Sequence, residues 1–468
     1  MKKSNYSIRG VFKLLVSALK GEEKEFTTGS INRAIILLSI PMIAEMIMES
    51  LFAVVDVFFV SQVSINAVAT VGLTESVLMI IYSIAVGLSM AVTAIVARRI
   101  GEKNPKKAAN AAFQAILLSI TVGVVLGVPG FIYAEEILGL MGGEPDLVRE
   151  GVGYTRIMYA GNLSIILIFL INGIFRGAGD ASIAMRALWI ANGLNIVLDP
   201  LFIFGWGPIP AMGVEGAAIA TTTGRSIGVL YQLVHLFNGS SIIKLGWESF
   251  VIRMKTIKEL IVVSAGGVGQ FLIETASWIF LVRVVSLFGP EALAGYTIAF
   301  RVIVFTLLPS WGMANAAATL VGQNLGAGNP ERAETSVWRT ALWNTIFLVV
   351  VAVIFFILAD PIFQIFGAEG MVKETGISAL RIICFGYIFF AYGMVVGQGF
   401  NGSGDTKTPM YISLVVFWFI QIPLSYYLSV NLGWESNGVF FCIAFAHSLY
   451  AIIAIWLFKK GKWKTMKV

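Results

Sequence analysis

The sequence is poor in charged residues, histidine and cysteine, and these shortages exclude several classes of protein. Only 13% of the 468 residues are charged and 57% are hydrophobic, whereas soluble domains carry about 25% charged residues. The two histidines, His235 and His447, and the two cysteines, Cys384 and Cys442, are too scattered for a metal site or a disulfide framework. We therefore expect an integral membrane protein without a resident cofactor.

Two other familiar features are missing. No Gly-x4-Gly-Lys-Ser/Thr loop occurs, so the chain shows no ATP-binding device. The N-terminal apolar stretch is interrupted by Lys13 and Lys20 and lacks a small-residue cleavage site, which argues against a signal peptide. We expect instead a basic amphipathic helix on the inner membrane surface, whose deletion weakens the protein without abolishing its function.

Twelve apolar runs are long enough to cross a hydrocarbon core of about 30 Å, which takes about 20 helical residues. They lie at about 34–60, 70–97, 110–134, 153–175, 183–205, 214–237, 260–288, 292–321, 337–359, 377–400, 409–430 and 437–458. The sequence therefore predicts an all-α polytopic membrane protein with twelve transmembrane helices.

Lysine and arginine are concentrated in alternate loops and at both termini. Arg98 and Arg99 begin a basic cluster after the second span, and basic residues also follow the fourth, sixth, eighth and tenth spans. The other loops are nearly free of them and are often acidic, as at Glu135 and Glu136. The net charge of +6 is thus a topology signal and not a nucleic-acid patch. The positive-inside bias predicts that both termini are cytoplasmic, and we expect a multi-pass protein of the plasma (inner) membrane.

The chain repeats itself with an offset of 225 residues. The stretch 99–108 reappears at 324–333, and Gly177-Ala-Gly-Asp180 reappears as Gly402-Ser-Gly-Asp405. Six helices per copy give both copies the same orientation. We therefore predict two parallel six-helix lobes, related by a pseudo-two-fold axis along the membrane normal, with a substrate site between them near mid-membrane. The parts are a basic cytoplasmic N-terminal segment (1–30), the first lobe (31–240), a cytoplasmic linker (241–258), the second lobe (259–459) and a basic cytoplasmic tail (460–468).

The first span carries three carboxylates on one helical stripe, those of Glu45, Glu49 and Asp56. An ionised carboxylate in hydrocarbon costs several kcal/mol, so this stripe must face protein or water. The repeat pairs Glu45 with Gln270 and Glu49 with Glu274, whereas Asp56 has no acidic counterpart. The alternative is that these acids pair with basic groups for purely structural reasons.

A second polar cluster lies in the fifth span. Asn192, Asn195 and Asp199 share one helical face, and Pro200 leaves a backbone carbonyl without its helical partner. Carboxylate and amide oxygens are ligands that a hard cation prefers. Alternatively, two neighbouring carboxylates in a pocket of low dielectric share a proton. A polar seam that only holds helices together is the third interpretation.

Four motifs together point to one family. They are Pro41 and Asp56 in the first span, Arg-Gly-x-Gly-Asp at 176–180, Asn195-x3-Asp199-Pro200, and Gly322-Gln-Asn-Leu-Gly326-x2-Asn329-Pro330. With these motifs the chain resembles the multidrug and toxic compound extrusion (MATE) transporters from residue 30 onward. The resemblance implies a secondary active transporter, not an enzyme, that exchanges organic and often cationic compounds for Na+ or H+ by rocking two lobes.

The resemblance also implies roles for individual residues. The cation or proton coupling site maps to Asp56, Asn172, Asn195, Asp199 and Thr221, and the first four are the implied ligands if the ion is Na+. The essential acid of the seventh helix maps to Glu274. Some members carry an aspartate in the tenth span, where this chain has Phe389 and Phe390, which puts a second-lobe ion site of that kind in doubt.

The acids of the coupling site are missing from the second half, so we infer that coupling occurs in the first lobe. The predicted substrate cleft consists of Glu45, Glu49, Gln270, Glu274, Trp278, Tyr296, Trp311 and Met313. Aromatic rings and methionine suit flat cations, while packing against lipid is the alternative for each of the last four.

Two other functions fit the sequence less well. A flippase for lipid-linked sugars of the same superfamily is expected to have a cleft rich in arginine for phosphate, whereas this cleft is acidic. A membrane-embedded enzyme is disfavoured because no nucleophile–base pair or metal set is present. The expected partners are organic cations and drugs and the lipid bilayer, without nucleic acid, and the expected state is a monomer.

Overall fold

The computed structural model describes residues 8–22, 25–239, 241–466 and 468, and these are almost entirely helical. Helix α1 (Ile8–Lys20) precedes the first lobe. The first-lobe helices are α2 (Ile31–Val60), α3 (Ile65–Gly101), α4 (Pro105–Ile132), α5 (Ala134–Leu140), α6 (Pro145–Ala160), α7 (Asn162–Gly177), α8 (Ala181–Phe204) and α9 (Gly213–Asn238).

The second lobe repeats the order of spans, but α12 is continuous over the stretch equivalent to α4 and α5. Its helices are α10 (Met254–Val285), α11 (Pro290–Gly326), α12 (Pro330–Ile365), α13 (Gly370–Phe385), α14 (Tyr387–Ser403), α15 (Lys407–Ser413), α16 (Ile422–Tyr426) and α17 (Glu435–Lys459). The π-helical stretch Leu414–Gln421 joins α15 to α16, and a second one, Tyr427–Asn431, extends α16, so that Lys407–Asn431 forms one continuous span.

The described residues supply enough long helices for the twelve predicted spans. Eight helices are long and apolar enough to cross a membrane, and two bent helix pairs raise the number to ten. Helices α2 and α9, of 30 and 26 residues, are each longer than the roughly 20 residues that a span requires. The all-α two-lobed fold class predicted from the sequence is confirmed.

The fourth and tenth spans are each broken, which the sequence analysis did not predict. Helices α6 and α7 meet at Gly161 with a bend of 40°, and α13 and α14 meet at Gly386 with a bend of 56°. The two glycines are 225 residues apart, so the break belongs to the repeat. A Cβ on Gly161 would collide with the Thr222 side chain, and glycine is also a weak helix former.

The repeated Asn-Pro motif marks the start of a helix in each lobe. Asn104 precedes Pro105, and its side-chain oxygen accepts a hydrogen bond of 3.0 Å from the backbone N–H of Lys107. Pro330 begins α12 in the same way, after Asn329. Asparagine at the N-cap and proline at the first helical position are both favoured there, so the motif stops one long helix and begins the next.

The lobes approach most closely where α3 and α11 end. A Cβ on Gly101 would overlap the carbonyl oxygen of Gln323, and a Cβ on Gly326 would overlap that of Arg98. Only glycine permits such contact between backbones. We call this the basic end of the bundle, because the Arg98–Arg99 cluster lies there, and the other end the opposite end.

A second pair of glycines continues this contact toward the opposite end. Gly87 packs on the backbone of Ser264 and Val268, and Gly312, its repeat equivalent, packs on the backbone of Met42. These contacts lie 14 residues, or about 21 Å, from the first pair along each helix. We call the four positions, Gly87, Gly101, Gly312 and Gly326, the glycine seam.

Side chains at the basic end also join the two lobes. Thr319 of α11 donates a hydrogen bond of 3.0 Å to the carbonyl of Arg176, and the Gln323 amide donates one of 3.3 Å to the carbonyl of Gly177. The N-terminal segment is anchored to the second lobe, because the N–H of Phe26 donates to Gln323 and Arg332 donates to the carbonyl of Thr28. The predicted N-terminal helix is present as α1, and its place on the membrane surface stays a prediction.

Candidate functional site

Glu45 lies in a buried polar network of the first lobe. Its Oε1 accepts hydrogen bonds from Asn172 Nδ2 at 3.0 Å and from Arg176 Nη1 at 3.1 Å, and only 1% of Glu45 is exposed. Arg176 also donates to Ser89 Oγ at 2.9 Å, and Asn172 accepts from Gln232. The Glu45 carboxylate is therefore compensated by an internal cation.

Glu49, one helical turn further along α2, has a different basic neighbour. Its Oε2 accepts from Asn192 Nδ2 at 2.9 Å, and its Oε1 lies 3.9 Å from Arg225 Nη2. Arg225 also donates to the Tyr82 hydroxyl at 2.9 Å. Its guanidinium lies over the rings of Phe52 and Tyr82, at 5.7 and 5.5 Å from their centroids. Helices α2, α3, α8 and α9 therefore meet around one buried arginine.

Asp56 and Asp199 lie toward the opposite end from this arginine. Asp199 is fully buried, and its Oδ1 accepts from Asn195 Nδ2 at 3.2 Å. The same Asn195 Nδ2 lies 3.0 Å from Thr221 Oγ1. Asp56 is buried within electrostatic range of Asp199. The structure thus brings together four of the predicted coupling residues.

Two oxygen atoms of this group are buried without a hydrogen-bond donor among the described residues. They are Oδ2 of Asp199 and Oδ1 of Asn195. Leaving a buried acceptor unpaired costs about 1–3 kcal/mol, and a bound cation or proton removes that cost. Within the described part of the chain, no group of three or more His, Cys, Asp or Glu side chains is close enough to hold a metal ion. The amide and hydroxyl oxygens therefore have to complete the coordination of a hard cation.

Asn172 does not belong to this group, and the implied assignment is corrected. It binds Glu45, which precedes Asp56 by 11 residues on the same helix, or about 16 Å along its axis. A side chain that reaches Glu45 therefore cannot share a ligand sphere with Asp56. A single sequence does not show which helices are neighbours. Asn172 was therefore grouped with Asp56, although it lies at the height of Glu45 along α2.

The second lobe contains a cavity of about 230 Å³ around Glu274. Glu274 Oε1 accepts from Ser413 Oγ at 3.0 Å and from Gln270 Nε2 at 3.3 Å. No basic side chain of the described residues forms an ion pair with it. The aromatic lining consists of Phe271, Trp278, Trp311, Phe390, Phe417, His447 and Tyr450. The cavity therefore combines one uncompensated carboxylate with several ring faces.

The repeat explains why this carboxylate has no internal cation. The pair Glu45–Arg176 of the first lobe corresponds to Gln270 and Asn401, which are joined by a neutral hydrogen bond of 3.4 Å. In the second pair, Glu49 corresponds to Glu274, whereas the position of Arg225 is occupied by Tyr450. Tyr450 lines the cavity. The second lobe thus retains one acid of the pattern and neither arginine.

The predicted cleft residues fall into three groups. Gln270, Glu274, Trp278 and Trp311 line the second-lobe cavity, while Glu45 and Glu49 are engaged by arginines of the first lobe. Tyr296 is wrongly assigned, because it is buried in the second-lobe core and stacks on Phe440 with ring centroids 5.9 Å apart. Met313 is half-buried and does not line this cavity.

Sequence reasoning missed the two arginines that organise the first lobe. Arg225 lies inside the predicted span 214–237, and Arg176 lies at the end of the predicted span 153–175. A basic residue inside a membrane span needs an acidic partner or water. Applied together with the acidic stripe of the first span, that rule would have paired these two arginines with Glu45 and Glu49.

Two parallel lobes of six membrane-spanning helices, with buried ionisable groups between the helices, define a multi-pass membrane transporter. The MatE family model matches residues 41–201 and again residues 268–427, one match in each lobe. The chain therefore belongs to the MATE family of transporters, and the twofold match agrees with the internal repeat.

Individual relatives agree over nearly the whole length. The chain is 26% identical over 450 residues to the probable multidrug resistance protein NorM of Thermotoga maritima, covering 94% of each chain. A crystal structure of MATE in complex with MaL6 superimposes with a TM-score of 0.88 at 27% identity, covering 96% of this chain and 99% of that one. An outward-facing multidrug resistance MATE family transporter of the MOP superfamily also gives 0.88 at 27% identity, over 95% and 100%.

Proposed function

We propose that the protein is a secondary active multidrug efflux transporter of the inner membrane. It exports organic cations in exchange for Na+ or H+ by alternating access, and both termini are cytoplasmic. The basic end of the bundle is accordingly the cytoplasmic end, which follows from the positive-inside bias of the loops. Membership of the MATE family and the similarity to a multidrug resistance protein support the class of activity.

The observation that carries the proposal is the buried first-lobe group of Asp56, Asn195, Asp199 and Thr221. It contains two acidic side chains and two oxygen acceptors without donors among the described residues. Carboxylate, amide and hydroxyl oxygens together suit a hard monovalent cation. A proton shared by the two acidic side chains reduces the same negative charge. This group is the proposed coupling site.

The proposed substrate site is the second-lobe cavity. Glu274 supplies a negative charge without an internal counter-ion, and the surrounding rings offer faces that attract cations. In the first lobe the equivalent carboxylate is engaged by Arg225. This difference between the lobes favours a substrate with a positively charged group. Such a group would pair with Glu274 as Arg225 pairs with Glu49.

The glycine seam supports alternating access with the cytoplasmic side closed. Backbone contacts between the lobes extend over about 21 Å from the basic end, and the chain is similar to a transporter in an outward-facing conformation. A coupling ion moves this equilibrium only through different affinities for the two conformations. Binding in the first lobe is proposed to favour one lobe arrangement and substrate binding the other.

The buried arginines weigh against the flippase alternative. A transporter of lipid-linked phosphates needs cationic groups that are free to bind phosphate. Arg176 and Arg225 are both engaged, by Glu45 and Glu49 respectively. Among the described residues that line the second-lobe cavity, the uncompensated charge is the carboxylate of Glu274, which repels anions.

The decisive experiment uses purified protein in proteoliposomes loaded with a cationic dye. An imposed Na+ gradient and an imposed pH gradient are applied separately, and dye movement is followed by fluorescence. We expect one gradient to drive dye transport and Asp199→Asn to abolish that dependence. Transport that ignores both gradients, or that requires added ATP, would overturn the proposal.

A further inference from the structure

The first-lobe polar groups form two tiers along the membrane normal. The inner tier is the set around Arg225, namely Glu49, Asn192 and Tyr82. Helices α2 and α8 run from the basic end outward, and Asp56 and Asp199 each follow an inner-tier residue by seven positions. Seven residues are about two turns, or about 10 Å, and return to nearly the same helical face. Asp56 and Asp199 therefore define an outer tier.

A third carboxylate belongs to the outer tier, that of Glu75. Helix α3 runs in the opposite direction, so its outer-tier position precedes Tyr82 by seven residues, and that position is Glu75. The same helical face that brings Tyr82 to Arg225 therefore carries Glu75 to the level of Asp56. Tyr154 of α6 is within electrostatic range of both Glu75 and Asp56, which supports the placement.

Glu75 differs from the other two acids in its exposure. Asp56 and Asp199 are buried, whereas Glu75 is exposed. Because an ionised side chain is costly in hydrocarbon, its face must look into a water-filled space. The described residues contain no cluster of three such ligands close enough to hold one metal ion, so Glu75 is not a third ligand beside Asp56 and Asp199. It lies on the approach to them.

Resting on the proposed coupling site, we propose that Glu75 is the first carboxylate to bind the incoming coupling cation and that Arg225 blocks its further passage. The unpaired oxygens of Asp199 and Asn195 are the atoms that receive the cation. An acid on the approach raises the local concentration of cations. A fixed guanidinium below the site repels them. Together they make a site that is open only toward the outside.

The test of Glu75 separates ion capture from turnover. With Glu75→Gln we expect the coupling-ion concentration for half-maximal dye transport to rise about two- to tenfold, which is the effect of one charge about 10 Å away at an effective dielectric constant between those of water and protein. The maximal rate stays unchanged, and the difference between the variant and the wild type grows at low ionic strength, where the attraction exerted by Glu75 is least screened. Glu136→Gln is the matched control, because it removes an exposed acid at the same end of the bundle.

The test of Arg225 measures ion flux without drug. Removing this cation alone leaves Glu49 uncompensated, so the variant to use is the double substitution Glu49→Gln with Arg225→Gln. We expect it to conduct the coupling ion in dye-free proteoliposomes several times faster than the wild type, whereas Arg225→Lys stays tight. Equal ion flux in all three proteins would overturn the role of Arg225.

Failure of this inference is distinguishable from failure of the proposed function. In one outcome, Asp199→Asn abolishes ion-driven transport, but Glu75→Gln has the same ion dependence as the control Glu136→Gln. The coupling site is then supported, and the role of Glu75 is refuted. If Asp199→Asn transports normally, the coupling site itself is refuted. A loss of maximal rate in Glu75→Gln, with unchanged ion dependence, also contradicts the proposed approach role.

Discussion

Gly101 and Gly326 are equivalent residues of the two repeats, and each packs against the backbone of the helix that carries the other. Gly101 lies against the carbonyl of Gln323 and Gly326 against that of Arg98, and these two partners are also repeat equivalents. The contact therefore has the form of an isologous two-fold interface within one chain. It fixes how closely the lobes can meet at the basic end.

The first prediction concerns this contact. Gly326→Val or Gly101→Val should force α3 and α11 apart, because a side chain at either position overlaps backbone that cannot move away as a flexible side chain would. We expect drug efflux to fall at least about tenfold, which corresponds to about 1.4 kcal/mol. Labelling of Met90→Cys by a membrane-impermeant thiol reagent, applied at the basic end, should increase.

The control for this prediction is Gly139→Val. A Cβ at Gly139 meets no atom within 4 Å, and the two native cysteines are buried, so the labelling background is low. Labelling of Met90→Cys that is the same in the Gly326→Val and Gly139→Val backgrounds would contradict the role given to the seam.

The second prediction uses the second lobe as a template for the first. Glu45→Gln alone leaves Arg176 buried without its carboxylate, which typically costs about 3–5 kcal/mol. The double variant Glu45→Gln with Arg176→Asn copies the neutral pair Gln270–Asn401, and we expect it to recover most of the thermal stability. Unfolding in detergent measures both variants. A double variant no more stable than Glu45→Gln alone would show that the two lobes do not tolerate the exchange.

The third prediction tests the coupling group. Asp56→Asn and Asp199→Asn each remove one negative charge from the first-lobe group, so each should abolish resistance to cationic dyes in a pump-deficient host. Asp146→Asn is the control, because Asp146 is exposed and pairs with the neighbouring Arg149 at the surface. Unchanged resistance in either variant, at equal protein levels in the membrane, would remove that residue from the mechanism.

The fourth prediction places the missing guanidinium in the second lobe. Tyr450→Arg puts a cation beside Glu274, as Arg225 lies beside Glu49, and should reduce transport of cationic dyes by about tenfold, or about 1.4 kcal/mol. Neutral compounds should be affected less, since they do not need the free carboxylate. Tyr450→Phe keeps the ring and is the matched control. Equal losses for cationic and neutral compounds would mean that the substitution merely fills the cavity.

Much of the fold was predictable because it depends on local composition. Apolar length fixes the spans, and the repeat with its even number of helices fixes the parallel lobes. The breaks at Gly161 and Gly386 were missed because a glycine inside an apolar run looks the same in a straight helix and in a bent one. Only the tertiary contact with Thr222 shows why Gly161 is required.

The site was predictable only as far as one helix determines it. The stripe of Glu45, Glu49 and Asp56 was correctly placed away from lipid, since helical periodicity is a local property. Which carboxylate pairs with Arg176 and which with Arg225 depends on which helices are neighbours. A single sequence does not contain that information. Tyr296 shows the same limit, because an aromatic side chain packs in a core as readily as in a cleft.

The length of α3 and α11 gives the seam a mechanical consequence. Each helix has 37 residues and is therefore about 56 Å long, with about 33 Å between Gly87 and the start of α3. Helix α3 has no internal proline and is a rigid rod held near one end, whereas α11 has Pro309 next to the contact at Gly312. A tilt of about 10° at Gly87 displaces the start of α3 by about 6 Å. This is roughly the thickness of one aromatic ring with its van der Waals contacts. Small movements at the glycine seam are thereby amplified at the opposite end of the bundle.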